Sequence, residues 1–124
     1  MVLVDTSVWI RFFRGREPFA NELERLLFLD EVSGHELIFG ELLIGDRGGR
    51  KKFLADYGKM HQATAVPHPD VVAFVRGRDL HGRGVGWMDI HLLAAAIVGR
   101  MQLWTADPRL AAMAKDLGVA YAWR

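Results

Sequence analysis

Cysteine is absent from the 124 residues. That excludes disulfide scaffolds, thiol nucleophiles, iron–sulfur clusters and thiolate zinc sites. An excess of charge of either sign is also absent: 16 Lys and Arg stand against 15 Asp and Glu, for a net charge of +1. The chain is therefore neither a globally basic nucleic-acid coat nor a globally acidic one. An anionic partner has to be held by a local basic patch or through bound cations. Long hydrophobic runs are missing too. The longest, Leu92–Val98, falls far short of the roughly 20 residues that cross a bilayer. Met1-Val2-Leu3-Val4-Asp5 carries no basic n-region, so no signal peptide is expected and the cytoplasm is the simplest address. The five histidines are scattered. His91 lies about 200° round a helix from Asp89 by the 3.6-residue period, which argues against a histidine zinc site. The first expected strand is not followed by G-x-G-x-x-G, and Lys51 and Lys52 lack the next Ser or Thr of a Walker A loop.

What is present suits one globular domain spanning residues 1–124, with 51% hydrophobic and 25% charged residues. Strand and helix signals alternate. Met1–Val4 is apolar without a break, as in a strand buried on both faces. Phe19, Leu23, Leu26 and Leu27 share one helical face. An extended piece over Glu31–Ser33 leads to a helix near Ile38–Leu43, ended by Gly45. Phe53, Tyr57 and Met60 mark a third helix. Ala63–Val66 is expected as a short strand, stopped by Pro67 and Pro69, and a helix follows near Asp70–Leu80. The glycine-rich stretch His81–Gly86 precedes Trp87–Val98, a helix apolar nearly all round and so expected to be central. Met101–Thr105 and Val119–Ala122 read as strands, with a helical stripe of Leu110, Met113, Ala114 and Leu117 between them. The alternation predicts an α/β fold, a three-layer α/β/α sandwich around a central parallel sheet. Ligands of such sheets bind outside the carboxyl ends of the strands.

Four acids fall where that edge is expected. Asp5 directly follows the first strand, and Asp107 lies two residues beyond Thr105. Helix capping is the competing reading for both, since Asp is a favoured N-cap and Pro108 suits a first helical position. Asp89 is harder to explain by capping. Its helical neighbours are Leu92, Leu93 and Ala96, and a carboxylate on an apolar stripe is costly unless something compensates it. The helix dipole contributes only ~0.3–1 kcal/mol there. Glu41 sits among Ile38, Phe39, Leu42, Leu43 and Ile44, with a solvent-facing position as its plain alternative. Carboxylates drawn to one mouth repel one another. Hard divalent cations, which prefer oxygen ligands, relieve that repulsion.

These residues resemble a known family. Val2-Leu3-Val4-Asp5-Thr6-Ser7-Val8-Trp9-Ile10 resembles the opening motif of PIN-domain ribonucleases. Ile38-Phe39-Gly40-Glu41-Leu42-Leu43-Ile44-Gly45 is similar to their second motif, Trp87-Met88-Asp89-Ile90-His91-Leu92-Leu93-Ala94-Ala95-Ala96 to their third, and Leu103-Trp104-Thr105-Ala106-Asp107 to their fourth. Length and opening also resemble the VapC-type toxins of toxin–antitoxin pairs. The resemblance implies Asp5, Glu41 and Asp89 as core metal ligands and Asp107 as a fourth acid. It implies Thr6 and Thr105 as hydroxyls that orient the carboxylates. Glu36 stands as a further candidate beside Glu41. The fourth motif continues as Pro108-Arg109-Leu110, where the family commonly has an aromatic residue.

The activity implied is Mg²⁺-dependent RNA phosphodiester hydrolysis, with Mn²⁺ able to substitute. The alternative is a catalytically inactive PIN-like module that binds RNA or protein. The implied partners are RNA, an antitoxin protein and a second copy of the chain, with no membrane. Local cations would have to hold the RNA, and Arg11, Arg78 and Arg83 are the candidates, against the plainer reading of a solvated basic face. Trp9, Phe12 and Phe13 are expected to be core, with an antitoxin-covered surface as the alternative.

Overall fold

The computed structural model describes residues 1–123. Strand β1 (Val2–Val4) is buried at every position, as its unbroken apolar sequence requires. Helix α1 (Thr6–Phe13) begins at once and α2 (Phe19–Phe28) follows; Leu23 and Leu26 supply the buried face of α2. Strand β2 (Val32–Gly34) leads into α3 (Glu36–Ile44) and α4 (Lys51–Tyr57). The two-residue β3 (His61–Gln62) precedes α5 (His68–Arg78) and α6 (Trp87–Val98). Strand β4 (Gln102–Trp104) and α7 (Pro108–Asp116) complete the order.

The sheet runs β3-β2-β1-β4, and each neighbouring pair is parallel. The expected three-layer α/β/α architecture is the one found. From β1 the chain steps outward through β2 to β3. Helices α5 and α6 then return it to the other side of β1. Connections therefore leave β1 and β4 in opposite directions, and the crevice at their carboxyl ends is the switch point where α/β sheets bind ligands. Asp5 lies at that point: its N–H donates to the Trp104 carbonyl at 2.9 Å.

Several local expectations are corrected. Ala63–Val66 is not a strand. The ladder forms one step earlier, pairing Ser33 with His61 and Gly34 with Gln62, and Ala63 contributes only its N–H to the Gly34 carbonyl at 2.8 Å. Polar side chains serve that edge, so alternation of apolar residues gave no signal. Pro67 and Pro69 do not merely stop the chain. Pro67 is the N-cap of α5 and Pro69 lies in its first turn, where the missing N–H costs nothing. Helix α3 starts at Glu36 because the His35 Nδ1 accepts the Leu37 N–H at 3.0 Å. Val119–Ala122 is reduced to a single bridge, Leu103 with Ala120. Among these expectations, the helix at Trp87–Val98 matches end to end.

The core gathers on both faces of β1. Trp9 is fully buried and meets Phe53 and Tyr57 edge-on, with ring centroids 5.1 and 5.9 Å away. Phe12 and Phe13 pack partly buried around it, so the core reading of this cluster is correct. Gly34 is required by close approach. A Cβ there would meet the Tyr57 ring at 2.8 Å. Tyr57 lies across the strand, and its hydroxyl oxygen accepts the His35 N–H at 2.9 Å.

Candidate active site

Asp5 is buried, and hydroxyls hold it rather than backbone amides. Its Oδ2 accepts from Ser7 Oγ at 2.7 Å and from Thr105 Oγ1 at 2.8 Å. The capping alternative fails here, because α1 has no side-chain cap. Thr105 reaches Asp5 across the β1–β4 crevice. Thr6 donates to the exposed Glu41 Oε1, so the first turn of α1 orients two acids from two different elements.

Asp107 is the N-cap of α7. Its Oδ1 caps α7, accepting from the Arg109 N–H at 2.8 Å and the Leu110 N–H at 3.3 Å. Its Oδ2 has no hydrogen-bond partner among the described residues. Asp89 lies in the first turn of α6, half-buried. Its carboxyl is pushed up to about 6, first by burial and then by the charges of Asp5, Asp107 and Glu41. The charges of the other three predicted acids therefore reach Asp89. Among the described residues, ion pairs join Arg25 to Glu22, Lys59 to Asp56 and Arg83 to Asp116, so no Lys or Arg neutralises any of the four. The donor set is all oxygen and uncompensated, which suits a hard divalent cation. The oxygens are not drawn tightly together: among the described residues no three acidic or histidine side chains stand at the spacing that ligates one ion.

A profile described as the PIN domain matches residues 2–116. The chain belongs to the PIN-domain family. Ribonuclease VapC32 of Mycobacterium tuberculosis, in two strains, is 41% identical to it over 123 residues, covering 98% of this chain and 97% of that protein. PAE2754 from Pyrobaculum aerophilum, known from a crystal structure, aligns with a TM-score of 0.61 over 97% of this chain and 87% of its own. At 17% identity that likeness concerns the fold alone.

Around the four acids of this PIN domain, the other predicted residues fare unevenly. Glu36 is exposed in the first turn of α3 and is not among the charges acting on Asp89. It lies about 140° round the helix from Glu41 at 100° per residue, so the fold does not bring it in. Arg83 is tied to Asp116 at 2.7 Å, and Arg78 ends α5, exposed. Arg11 does border the site. It lines an open cavity of about 440 Å³ with Ser7, Gly84, Ala106, Asp107, Pro108 and Arg109.

Two residues of this region escaped the sequence reading. Ser7 stands two residues after Asp5, a spacing that places its hydroxyl in the same helical turn. Arg109 stands two residues after Asp107, but only the folded loop at Gly84 puts it on the cavity wall. No helix among the described residues is long and apolar enough to cross a membrane.

Proposed function

We propose that this PIN domain is a divalent-metal-dependent endoribonuclease, the toxin of a toxin–antitoxin pair. The observation that carries the reading is the raised carboxyl of Asp89, on which the charges of Asp5, Asp107 and Glu41 act, with none of the four ion-paired to a basic side chain among the described residues. The 41% identity to ribonuclease VapC32 supports it across nearly the whole chain. Asp5, Glu41 and Asp89 hold the cation, Mg²⁺ by preference with Mn²⁺ able to substitute, and Asp107 serves the same mouth. When bound, such a cation supplies Lewis-acid chemistry: it polarises a phosphoryl oxygen and raises the acidity of water.

The chain's own residues do the positioning. Ser7 and Thr105 fix Asp5, and Thr6 fixes one oxygen of Glu41. Glu41 is exposed, and its second carboxylate oxygen is left for a cation. Water is the nucleophile, since the site offers no thiol and its hydroxyls are committed to carboxylates. The target is single-stranded RNA, and the setting is the cytoplasm. An antitoxin covers the site in the resting cell. A second copy of the chain docks on apolar surface, of which Phe28 and Ile44 are largely exposed.

The test is cleavage of single-stranded RNA by purified protein. Mg²⁺ or Mn²⁺ should support cleavage and EDTA should stop it. Asp5→Asn and Asp89→Asn should reduce it to the enzyme-free rate with circular dichroism unchanged. RNA binding without products under every metal condition would instead favour the inactive-module alternative. A folded Asp5→Asn that cuts at the wild-type rate overturns the assignment. Induction in cells should arrest growth for the wild type and not for Asp5→Ala.

A further inference from the structure

We propose that Arg11 and Arg109 form a phosphate clamp beside Asp107, gripping the RNA backbone next to the scissile bond, and that Gly84 fixes where Arg109 points. The clamp rests on the ribonuclease reading above and names the residues by which that site holds its substrate.

Four carboxylates at the strand ends repel an incoming phosphodiester. With a net charge of only +1, the molecule cannot attract RNA by its overall field, so cations beside the acids have to do so. Arg11 and Arg109 both line a cavity that contains Asp107. Neither is ion-paired among the described residues, whose salt bridges use Arg25, Lys59 and Arg83. Both keep N–H groups for a phosphate, which a guanidinium fork meets bidentately.

Both arginines are also aimed. Arg11 Nη1 donates to the Ser7 carbonyl at 2.9 Å, and its guanidinium carbon lies 5.4 Å from the centre of the Phe19 ring. Ser7 is the residue whose hydroxyl holds Asp5, so one helical turn orients an acid and a cation together. Arg109 is held from the other side. Its own N–H donates to Asp107, and its side chain lies under Gly84. A Cβ on Gly84 would meet Arg109 Nη1 at 2.8 Å, Cδ at 3.1 Å and Cζ at 3.3 Å. The neighbouring Arg83 fastens this loop to α7 through Asp116 at 2.7 Å. Arg83 thus acts as a positioning residue for the loop and not as an RNA contact.

Gly82 supplies an internal control. It shares the left-handed backbone of Gly84, with φ +74 against +76, yet a Cβ there meets nothing within 4 Å. Alanine at either position carries similar backbone strain, but only at Gly84 does it push Arg109.

The experiment measures binding of a short fluorescein-labelled single-stranded RNA by anisotropy, in EDTA and again in Ca²⁺, across a range of KCl. Cleavage in Mg²⁺ is measured in parallel. Arg109→Ala and Arg11→Ala should each weaken binding about tenfold and flatten the slope of log K against log salt by about 0.7, the value for one lost phosphate contact on a single strand. Arg109→Lys should keep the slope but bind more weakly than the wild type, because a point charge replaces the fork. Gly84→Ala should match Arg109→Ala, while Gly82→Ala matches the wild type. If Gly84→Ala does not fold, the arginine variants decide alone. Wild-type affinity and slope in a folded Arg109→Ala overturn the clamp while leaving the nuclease reading intact. A wild type that binds RNA but never cuts it overturns the nuclease reading, and the salt slopes still decide the clamp. A wild type that neither binds nor cuts overturns both.

Discussion

Ser7 joins more of the site than any single acid. Its hydroxyl donates to Asp5 at 2.7 Å and accepts the Ala106 N–H at 2.9 Å, so it ties the end of β1 to the loop after β4. Ser7→Ala leaves that N–H without its partner, an omission that typically costs ~1–3 kcal/mol. It also frees Asp5 to rotate. Denaturant unfolding should register the loss of stability, and kcat should fall in the surviving folded protein with KM little changed. Asp107 allows a cleaner separation of roles, because it caps α7 and faces the cavity at once. Asn caps a helix about as well as Asp, whereas Ala loses typically ~1 kcal/mol. Asp107→Asn should therefore keep the wild-type midpoint while activity drops, and Asp107→Ala should lose both. An Asn variant with full activity would show that capping is all Asp107 does.

At the scale of elements, legibility followed the physical source of each signal. Helix α6 could be read from end to end because it is apolar nearly all round and bounded by Gly86 and Gly99. Strand β3 was misplaced because its stability lies in backbone pairing and in the contact of Ser33 Oγ with His61 Nδ1 at 2.9 Å, neither of which leaves a hydrophobic pattern. The candidate acids were legible from their places after strands and in first turns. How closely they approach was not, since it depends on how α3 and α6 are rotated over the crevice. Arg109 was overlooked for the same kind of reason: its place on the cavity wall is set by a loop from a different part of the chain. Gly34 shows a packing constraint no pattern reveals. Gly34→Ala drives a methyl into Tyr57, whose hydroxyl holds the His35 amide. Overpacking of this kind typically costs ~1–3 kcal/mol. The midpoint of thermal unfolding should fall, with cleavage per folded molecule unchanged; a variant as stable as the wild type would mean Tyr57 can move aside.

For the whole molecule, Asp89 and the three acids whose charges reach it set how stability responds to pH and to cations. Burial and three like charges raise the Asp89 carboxyl to about 6, against about 3.9 for an unperturbed Asp. Between those values the folded protein holds a proton that the unfolded chain has released, so stability declines as pH climbs from about 4 to 6. Two pKa units correspond to on the order of 2–3 kcal/mol, an upper figure for a half-buried group. In EDTA, Asp89's contribution should therefore make the protein more stable at pH 4 than at pH 8. Asp89→Asn should flatten that part of the profile and be the more stable protein at pH 8. Mg²⁺ should act in the opposite sense to rising pH, because a protonated carboxyl gives up its claim on a cation. Saturation at 100 times Kd stabilises a folded protein by about 2.7 kcal/mol, so the unfolding midpoint should rise clearly with Mg²⁺ at pH 8 and barely at pH 4. Calorimetry on the wild type and Asp89→Asn, with and without Mg²⁺, checks both halves. If the two proteins share one pH profile and neither gains from Mg²⁺, the four acids are independent surface charges and do not form a cation site.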